Sequence, residues 1–448
     1  MKAALPGPKG LPIIGSLFPA VRDPLGFILD VYRVHGDSAY ARIGSTRVFM
    51  LNHPDLVKEV LVTQQGAFVK GRSLQSARRF LGEGLLTSEG ALHKRQRRLI
   101  QPAFQRQRLG VYSGMMAAYI ARLSERWQDG LSIDVGEEMM RLNLAVVGRT
   151  LLNLDIEADA QEFGRLLTTL QEDFSSFALP FTALRQRLPL PAAHRRKTAL
   201  QRLHVLIDRL IRERRALSTD QGDVLSILLQ AQNLEGDGIG MTDIQVRDEV
   251  ITFIVAGVET TAVALTWTWY LLSQNRHAEA ALHAELASVL AGRIPGMDDL
   301  PRLPYTAAVF AEALRLYSPA WGIPRRALTD CTIGGHVVPA GVSVSLCPFA
   351  VHRDPRYHPN PHAFLPERWL RTGEPSALPY AYFPFGGGPR RCIGEQYART
   401  MAMLTIAVMA QCWRLHLVQG HPVALQARIT LRPRYGMRMT LERRVARS

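Results

Sequence analysis

Residues 383–399 read FPFGGGPRRCIGEQYAR, and they carry the most informative pattern in the chain. Three consecutive glycines, two arginines and one cysteine stand directly before an apolar run whose residues recur at steps of three and four. That spacing predicts one face of a helix. Cys392 is therefore expected at a helix N-terminus, where free N–H groups and the helix dipole favour an anion and lower the pKa of a thiol.

A thiolate in such a place is either a nucleophile or a metal ligand, and no neighbouring histidine suggests itself as the base that a nucleophile would use. Glycines 386–388 allow a tight turn and a close approach of the backbone to a flat ligand, while Arg390 can face an anionic group on it. A dinucleotide-binding loop would require an acidic residue about 20 positions further on, and a P-loop would require Gly-Lys-Ser/Thr; both are missing. The structural alternative is an inert, buried cysteine beside a glycine-rich turn.

The composition is that of a globular protein with a sizeable core: 448 residues, of which 47% are hydrophobic and 21% charged. The formal net charge is +15, but the densest basic segment, 93–108, lacks the interleaved aromatic residues of a base-stacking site. We therefore expect no nucleic-acid partner. Most of the positive charge is expected to be solvated surface.

The four cysteines, Cys331, Cys347, Cys392 and Cys412, form no C-x-x-C pair, which argues against a zinc site and against a disulfide framework. The first 20 residues are rich in proline and glycine and contain no apolar core of the kind that a signal peptide has. We expect a cytoplasmic protein without a transmembrane anchor.

The order of predicted elements indicates one domain spanning residues 1–448. A turn-rich lead-in, 1–20, is followed by a predicted hairpin at 39–51, helical periodicity from about 90 to 320, short strands in 321–350 and an alternating run at 427–444. Strands from distant parts of the chain must meet to form a sheet. The prediction is a mainly α fold with a small β region.

The segment FGGGPRRCIG resembles the cysteine-ligand signature F-x-x-G-x-R-x-C-x-G of the cytochrome P-450 family of heme-thiolate monooxygenases. Five residues carry the match: Phe385, Gly388, Arg390, Cys392 and Gly394. The resemblance implies the family's single helical prism with a small β region and a heme b cofactor. It also implies that Cys392 is the axial ligand of the iron, and a thiolate ligand favours O–O cleavage.

The apolar run FIVAGVETTAVALTWTWYLL, 253–272, is long enough for a transmembrane helix, but an acidic residue stands inside it and a capping-box pattern, TDIQ, begins the stretch at 242. A buried core helix is favoured. Its segment AGVETT resembles the family's oxygen-binding helix. The resemblance implies that Ala256 lies against the cofactor, that Thr260 supplies a hydrogen bond on the oxygen side of the heme, and that Glu259 helps to deliver protons; the alternative is a kink without chemistry.

Two further motifs are consistent with the family. EALR places Glu312 and Arg315 on one helix face, where such a pair is usually a surface salt bridge. Together with FLPERWL, 364–370, it resembles the family's E-x-x-R and P-E-R-F elements, which implies a buried structural network of Glu312, Arg315 and Arg368. Removal of one partner would leave a buried charge unpaired.

Heme carries two propionates, and four basic residues match the family's propionate ligands. Segment 92–104 resembles a helix that usually reads W-x-x-x-R, with His93 in place of the tryptophan and Arg97 at the arginine position. Arg325 matches a strand position and Arg390 belongs to the cysteine loop; Arg326 is a weaker match. Each of these side chains taken alone would more often be a solvated surface charge.

The activity that the resemblance implies is insertion of one oxygen atom of dioxygen into an apolar small molecule, by hydroxylation or epoxidation. Electrons would come from a ferredoxin or flavodoxin with its NAD(P)H-dependent reductase. The alternatives are a peroxygenase, a rearranging or dehydrating heme-thiolate enzyme, and a heme-based gas sensor or carrier.

The substrate pocket is predicted to involve residues 72–88, 170–190, the start of AGVETT, 320–323 and 428–431. An apolar wall built from these segments would suit a terpenoid, a fatty acid or a polyketide-like molecule, although core packing explains the same residues equally well. The candidate wall residues are Phe80, Leu81, Ala256, Trp321, Ile323 and Ile429.

Overall fold

Helices make up most of the chain in the computed structural model, which describes residues 6–153, 166, 191–217, 221–231, 238, 240–370 and 378–444. The described α-helices are, in chain order, α1 (Leu17–Arg22), α2 (Pro24–His35), α3 (Pro54–Lys58), α4 (Arg72–Leu81), α5 (Gly90–Ile100), α6 (Arg106–Glu125), α7 (Val135–Leu152), α8 (Pro191–Leu217), α9 (Val224–Gln230), α10 (Asp243–Gln274), α11 (Arg276–Leu290), α12 (Pro304–Leu316), α13 (Pro348–Val351) and α14 (Glu395–Cys412). A π-helical turn, Glu59–Thr63, follows α3, and 3₁₀ turns lie at Gln65–Ala67, Gln101–Phe104, Leu300–Arg302, Pro366–Trp369 and Gly388–Arg390.

Helix α10 is the central element of the fold. It begins at the predicted capping box, in which Thr242 and Gln245 exchange side-chain-to-backbone hydrogen bonds. It packs against α7, α8, α11, α12 and α14. Of the described helices it alone is long and apolar enough to cross a membrane, but 78% of the residues in its apolar window are buried inside the protein. The expectation of a buried core helix is therefore confirmed.

The larger sheet joins the two ends of the sequence. Its strands are β1 (Ser38–Ile43), β2 (Thr46–Leu51), β3 (Phe68–Lys70), β5 (Ile323–Ala327) and β8 (Ser343–Leu346), in the spatial order β1-β2-β8-β5-β3. β1 and β2 form the predicted hairpin, which turns at Gly44 with a positive φ of 60°. The β2–β8 pair is parallel, with Phe49 opposite Val344, and the other pairs are antiparallel.

Three smaller sheets complete the β part. β4 (Ser132–Asp134) pairs with β12 (Arg438–Arg443), which also pairs with β9 (Trp413–Leu417). The two remaining antiparallel pairs are β6 (Cys331–Ile333) with β7 (His336–Val338) and β10 (Leu425–Ala427) with β11 (Leu431–Pro433). The architecture is mainly helical with a small β region, as the sequence predicts, while the extent of the single domain stays a prediction.

Candidate functional site

The Cys392 loop is held against the π-helical turn by its glycines. Gly388 has a φ of +61°, and a Cβ at this position would lie 2.0 Å from the carbonyl oxygen of Leu61. Only glycine fits both the backbone angle and the contact. The Cys392 amide donates to the Phe385 carbonyl over 3.0 Å, which closes the loop. Helix α14 begins at Glu395, so Cys392 precedes the helix rather than standing in its first turn.

The thiol of Cys392 opens onto an internal cleft. The surface of Cys392 is accessible to solvent, but protein groups surround it and exclude most of the bulk water. This desolvation raises the pKa of the thiol. A hydrogen bond involving the Gly394 backbone opposes the rise, as do the nearby charges of Arg97 and Arg391. The expectation of a lowered pKa is therefore wrong for the chain by itself, because desolvation by the surrounding protein outweighs these opposing contacts. A bound metal ion would deprotonate such a thiol outright.

The cleft is bordered on another side by the middle of α10. Residues 255–257 and Thr260 are partly accessible, whereas Phe253 and Val263 on the same helix are buried. The ring of Phe104 connects this helix to the cysteine loop. Its centroid lies 5.6 Å from that of Phe253, and the ring is also 3.9 Å from the position that a Cβ on Gly394 would occupy.

Thr260 and Glu259 point in different directions. The Thr260 hydroxyl donates to the Ala256 carbonyl over 2.6 Å, within the accessible stretch of α10. The buried Glu259 carboxylate accepts a hydrogen bond from the Thr430 hydroxyl and lies 4.0 Å from Arg432. Successive helical residues are about 100° apart around the axis, so the two side chains cannot face the same group directly. Any proton exchange between them requires an intermediary.

A group of basic side chains occupies the region around Arg390. Burial lowers the pKa of His93 to about 3 and that of Lys70 to about 7, and the positive charge of Arg390 adds to both effects. Burial likewise lowers the pKa of Arg325 to about 10, again with a contribution from Arg390. The pKa of Arg97 is lowered by burial too, although the nearby Cys392 thiol opposes that shift. Mutual repulsion of this kind is relieved by an anionic ligand.

The donors of this group are only partly used within the described part of the chain. Arg97 donates to the Arg391 carbonyl over 2.8 Å, and Arg325 donates to the Pro324 carbonyl over 3.1 Å. Arg390 donates to the Ser88 carbonyl over 2.8 Å and pairs with Glu89. The cations thus outnumber the carboxylates beside them. Such a set of donors is suited to bind a ligand with two negative charges, such as the two propionates of heme.

Glu312, Arg315 and Arg368 come together in the interior, on the predicted residues. The carboxylate of Glu312 accepts hydrogen bonds from Arg315 at 2.8 and 2.9 Å, from Arg368 at 3.0 Å and from the Trp369 indole at 2.9 Å. Both Glu312 and Arg315 are 0% exposed. Burial alone would raise the pKa of Glu312, but the hydrogen bond and charge of Arg315, together with Arg368, outweigh it and lower that pKa. Arg315 also donates to the carbonyls of His352, Pro361 and Ala363.

The candidate wall residues are distributed over separate parts of the interior. Ile323 lies near the cysteine loop, 3.8 Å from the position of a Cβ on Gly386. Trp321 packs with the N-terminal apolar cluster and donates its indole N–H to the Arg428 carbonyl. Leu81 is buried in the main core, Phe80 is half-buried and Ile429 is 41% exposed. The predicted pocket segment 170–190 lies outside the described residues.

Three residues at the site escaped sequence reasoning. Lys70 donates to the carbonyls of Leu85 and Leu86 from a strand end, and Glu89 pairs with Arg390. Thr430 donates to Glu259 from the far end of the chain. The one available signal was Lys70 itself, a lysine directly after the apolar pair of the short strand FVK. Glu89 stands in a segment whose pattern gives no such indication, whereas Thr430 lies in the predicted pocket segment 428–431 but was not singled out.

Comparison with known proteins places this architecture in a family. The cytochrome P450 family model matches residues 5–436. Cyclooctatin synthase from Streptomyces melanosporofaciens is 41% identical over 426 residues, covering 95% of this chain and 92% of the relative. Cyclooctat-9-en-7-ol 5-monooxygenase from the same organism is 37% identical over 414 residues, covering 92% and 90%. Pentalenene oxygenase from Streptomyces avermitilis is 37% identical over 424 residues, covering 93% of each.

The fold gives the same result. The crystal structure of the cytochrome P450DA heme domain superposes with a TM-score of 0.88 at 27% identity, covering 99% of this chain and 98% of the other. The thiol loop, the accessible stretch of the central helix and the cation group around Arg390 are suited to hold a heme between them. This chain belongs to the cytochrome P450 family and is a heme b monooxygenase.

Proposed function

We propose that this monooxygenase adds one oxygen atom to a cyclic terpenoid that is largely hydrocarbon. The observation that carries the proposal is the apolar accessible stretch of α10, Ala256 and Gly257, which borders the cleft that the Cys392 thiol opens onto. Among the alternatives that an apolar wall allows, the relatives favour the terpenoid. Their names refer to an alkene, pentalenene, and to a mono-alcohol, cyclooctat-9-en-7-ol. The corresponding reaction is hydroxylation of an unfunctionalised ring carbon or epoxidation of a ring double bond.

In this proposal the cofactor is held from three sides. Cys392 would bind the iron, and Phe385 and Gly394 would line the site beside the loop. Arg97, Arg325 and Arg390 would neutralise the propionates, for which Arg390 must share or exchange its contact with Glu89. His93, which its low pKa keeps neutral at pH 7, would donate a hydrogen bond to a propionate instead. Ala256 would line the site on the side of α10. When bound, the heme supplies dioxygen activation with two external electrons.

Thr260 and Glu259 handle protons in different parts of one route. Because the Thr260 hydroxyl donates its hydrogen to the Ala256 carbonyl, its oxygen is free to accept a hydrogen bond from a group in the cleft. Glu259 accepts a hydrogen bond from Thr430 and lies near Arg432, so in this proposal it takes up protons from the side of the site formed by these two residues. Controlled proton supply is a requirement for using dioxygen, and this favours the monooxygenase over a peroxygenase.

Electrons are proposed to come from a ferredoxin or flavodoxin with its NAD(P)H-dependent reductase, in the cytoplasm. The face near the cysteine loop offers Lys94, Arg98 and Arg391, all exposed. Such a basic face complements an acidic electron carrier and would speed its encounter with the enzyme. The expected signature is a reduction rate that falls steeply with ionic strength.

The test combines binding and turnover. The purified holoenzyme is titrated with cyclooctat-9-en-7-ol, with pentalenene and with dodecanoic acid, and the Soret band is followed for a displaced iron ligand. Turnover is then measured with NADPH and a surrogate ferredoxin pair, and separately with hydrogen peroxide. We expect a terpenoid to give both the spectral shift and a product heavier by one oxygen atom. A response to the fatty acid alone would contradict the substrate class, and turnover with peroxide alone would indicate a peroxygenase.

A further inference from the structure

The turn between α4 and α5, residues 82–88, spans the space between the central helix and the cation group. At one end, Glu83 and Leu85 touch α10 through their backbone amides. At the other end, the Ser88 carbonyl accepts a hydrogen bond from Arg390. Leu86, in the middle, is only partly buried. This 82–88 turn therefore connects the central helix with the cation group, the two regions between which the proposed function places heme and substrate.

Two adjacent carboxyl groups of α10 hold the turn by its amides. Asp248 accepts from the Glu83 amide over 2.8 Å, and Glu249 accepts from the Leu85 amide over 2.9 Å. Glu249 is 0% exposed. Its second oxygen, Oε1, is buried without a hydrogen-bond partner among the described residues. Among the described residues, the hydrogen bond from the Leu85 amide is thus the one that the buried Glu249 carboxyl group accepts.

Lys70 holds the same turn by its carbonyls. Its ammonium group donates to the carbonyls of Leu85 at 2.8 Å, Leu86 at 2.5 Å and Ser88 at 3.5 Å. The side chain is 7% exposed, so it is committed to these acceptors rather than to solvent. The backbone of residues 85–88 is therefore held by two buried side chains. Lys70 donates hydrogen bonds to its carbonyls, and Glu249 accepts one from its Leu85 amide.

The glycines of the turn show how closely it approaches α10. A Cβ on Gly82, which has a φ of +65°, would lie 2.1 Å from the carboxyl group of Asp248. A Cβ on Gly84 would lie 2.2 Å from the Thr252 hydroxyl oxygen. Any side chain at these two positions would push the turn off the helix. The two glycines of the sequence GEGLL therefore allow the turn to approach α10 closely enough for its amides to reach Asp248 and Glu249.

We propose that Glu249 and Lys70 are positioning residues that fix the 82–88 turn as the wall limiting the size of the substrate site. They act through the backbone of the turn and touch neither heme nor substrate. The inference rests on the proposed function, because it takes the cleft beside α10 as the substrate site. It goes further in naming which buried side chains set the dimensions of that site.

The charge state of Glu249 agrees with this role. Burial raises its pKa to about 8; Asp248 raises it further, whereas the Leu85 hydrogen bond and the Lys70 charge lower it. At pH 7 the carboxyl is thus largely neutral, and a neutral carboxyl oxygen still accepts from an amide. A glutamine at this position would keep the same acceptor with almost the same shape. This makes Glu249→Gln the conservative variant and Glu249→Leu the disruptive one.

The first measurement is hydrogen–deuterium exchange of the turn in the heme-loaded protein. Loss of the acceptor leaves a buried amide without a partner, so we expect amides of 83–88 in Glu249→Leu to exchange about tenfold faster or more. Glu249→Gln should exchange at the wild-type rate. Glu83→Gln serves as the matched control, because this side chain belongs to the same turn but pairs with Arg78 at the surface.

The second measurement uses two heme ligands of different length, imidazole and 4-phenylimidazole, in optical titrations. If the turn limits the site, the longer ligand should contact it and the shorter should not, so Glu249→Leu should change the dissociation constant of 4-phenylimidazole at least about fivefold and leave that of imidazole unchanged. Lys70→Met is the second variant, in case Glu249→Leu does not fold, and it is assessed by hydrogen–deuterium exchange alone. The loss of the three Lys70 hydrogen bonds should make the 85–88 amides exchange faster.

Several outcomes would overturn the inference. One is a wild-type exchange rate of the 83–88 amides in Glu249→Leu, and another is an exchange rate in Glu249→Gln as high as in Glu249→Leu. A third is an equal change in the dissociation constants of imidazole and 4-phenylimidazole, which would indicate general damage to the heme site. A protein that binds both azoles as expected but fails to oxidise any terpenoid would contradict only the proposed substrate class.

Discussion

Single side chains at this site work through hydrogen bonds that their neighbours in sequence do not share. Thr260 turns its hydroxyl onto the Ala256 carbonyl in the cleft, whereas Glu259 reaches Thr430 on another segment. The motif AGVETT predicted that both residues matter, but not that they would diverge. The partner of Glu259 is 171 positions away in the sequence, so no local pattern could have predicted the contact.

The Thr260 hydroxyl can be tested by removing it and by keeping it. We expect Thr260→Ala to fold and bind heme normally but to release hydrogen peroxide while consuming electrons, because proton delivery to oxygen loses its relay. Thr260→Ser retains the hydroxyl and should keep most of the coupling. The measurement is product formed and peroxide released per NADPH consumed, with one substrate. Equal coupling in the Ala variant and the wild type would assign Thr260 a packing role only.

Glu249 gives a pH dependence whose sign follows from its environment. Its pKa rises from 4.5 to about 8 in the folded protein, so the folded state binds a proton that the unfolded state releases above pH 4.5. The free energy of unfolding should therefore fall as the pH rises from 5 to 8. Glu249→Gln removes this contribution, and its stability relative to wild type should increase over the same range. Urea unfolding of both proteins at pH 5, 6.5 and 8 measures the difference.

At the scale of elements, the sequence was most informative where one segment determines its own structure. The capping box and apolar run of α10, the hairpin β1–β2 and the presence of helix α14 after Cys392 were all predicted from local periodicity and turn chemistry, although α14 begins only at Glu395. The 82–88 turn was anticipated only as part of a pocket segment. Its hold on α10 depends on the two acidic residues Asp248 and Glu249, which in a helix sequence look like ordinary polar positions.

Alanine substitutions at two glycines can distinguish the cost of a left-handed backbone from the cost of a steric clash in the loop before Cys392. Gly388 and Gly44 have nearly the same φ, +61° and +60°, but a Cβ on Gly388 would meet the Leu61 carbonyl whereas nothing lies within 4 Å of one on Gly44. Gly44→Ala should cost only about 1–2 kcal/mol for the left-handed backbone. Gly388→Ala should displace the loop and diminish the red-shifted band of the reduced carbon monoxide complex. If both variants keep that band and melt alike, the contact with Leu61 is not required for thiolate ligation.

At the scale of the whole molecule, long-range pairing was predictable in kind but not in register. The presence of strands near both ends indicated that they meet, and β2 does pair with β8 in parallel. The sequence could not show which residues lie opposite each other, because register is set by packing between segments about 300 residues apart. Likewise EALR predicted the pair Glu312–Arg315, while the Trp369 indole and the three carbonyls that complete the network became visible only in the fold.

This network ties α12 to the segments around 352–369 and so stabilises the whole molecule. We expect Arg315→Ala to lose about 3–5 kcal/mol of stability, because it leaves the Glu312 carboxylate buried beside too few donors. Arg33→Ala is the matched control: Arg33 and Asp30 are also three residues apart on a helix, at 2.9 Å, but their side chains are 78% and 67% exposed. An exposed pair contributes little, so this variant should resemble wild type. Chemical unfolding and heme content of the two variants measure the difference. Comparable stability would mean that Arg315 does not serve as the required partner of Glu312, since solvent or another cation would then have replaced it.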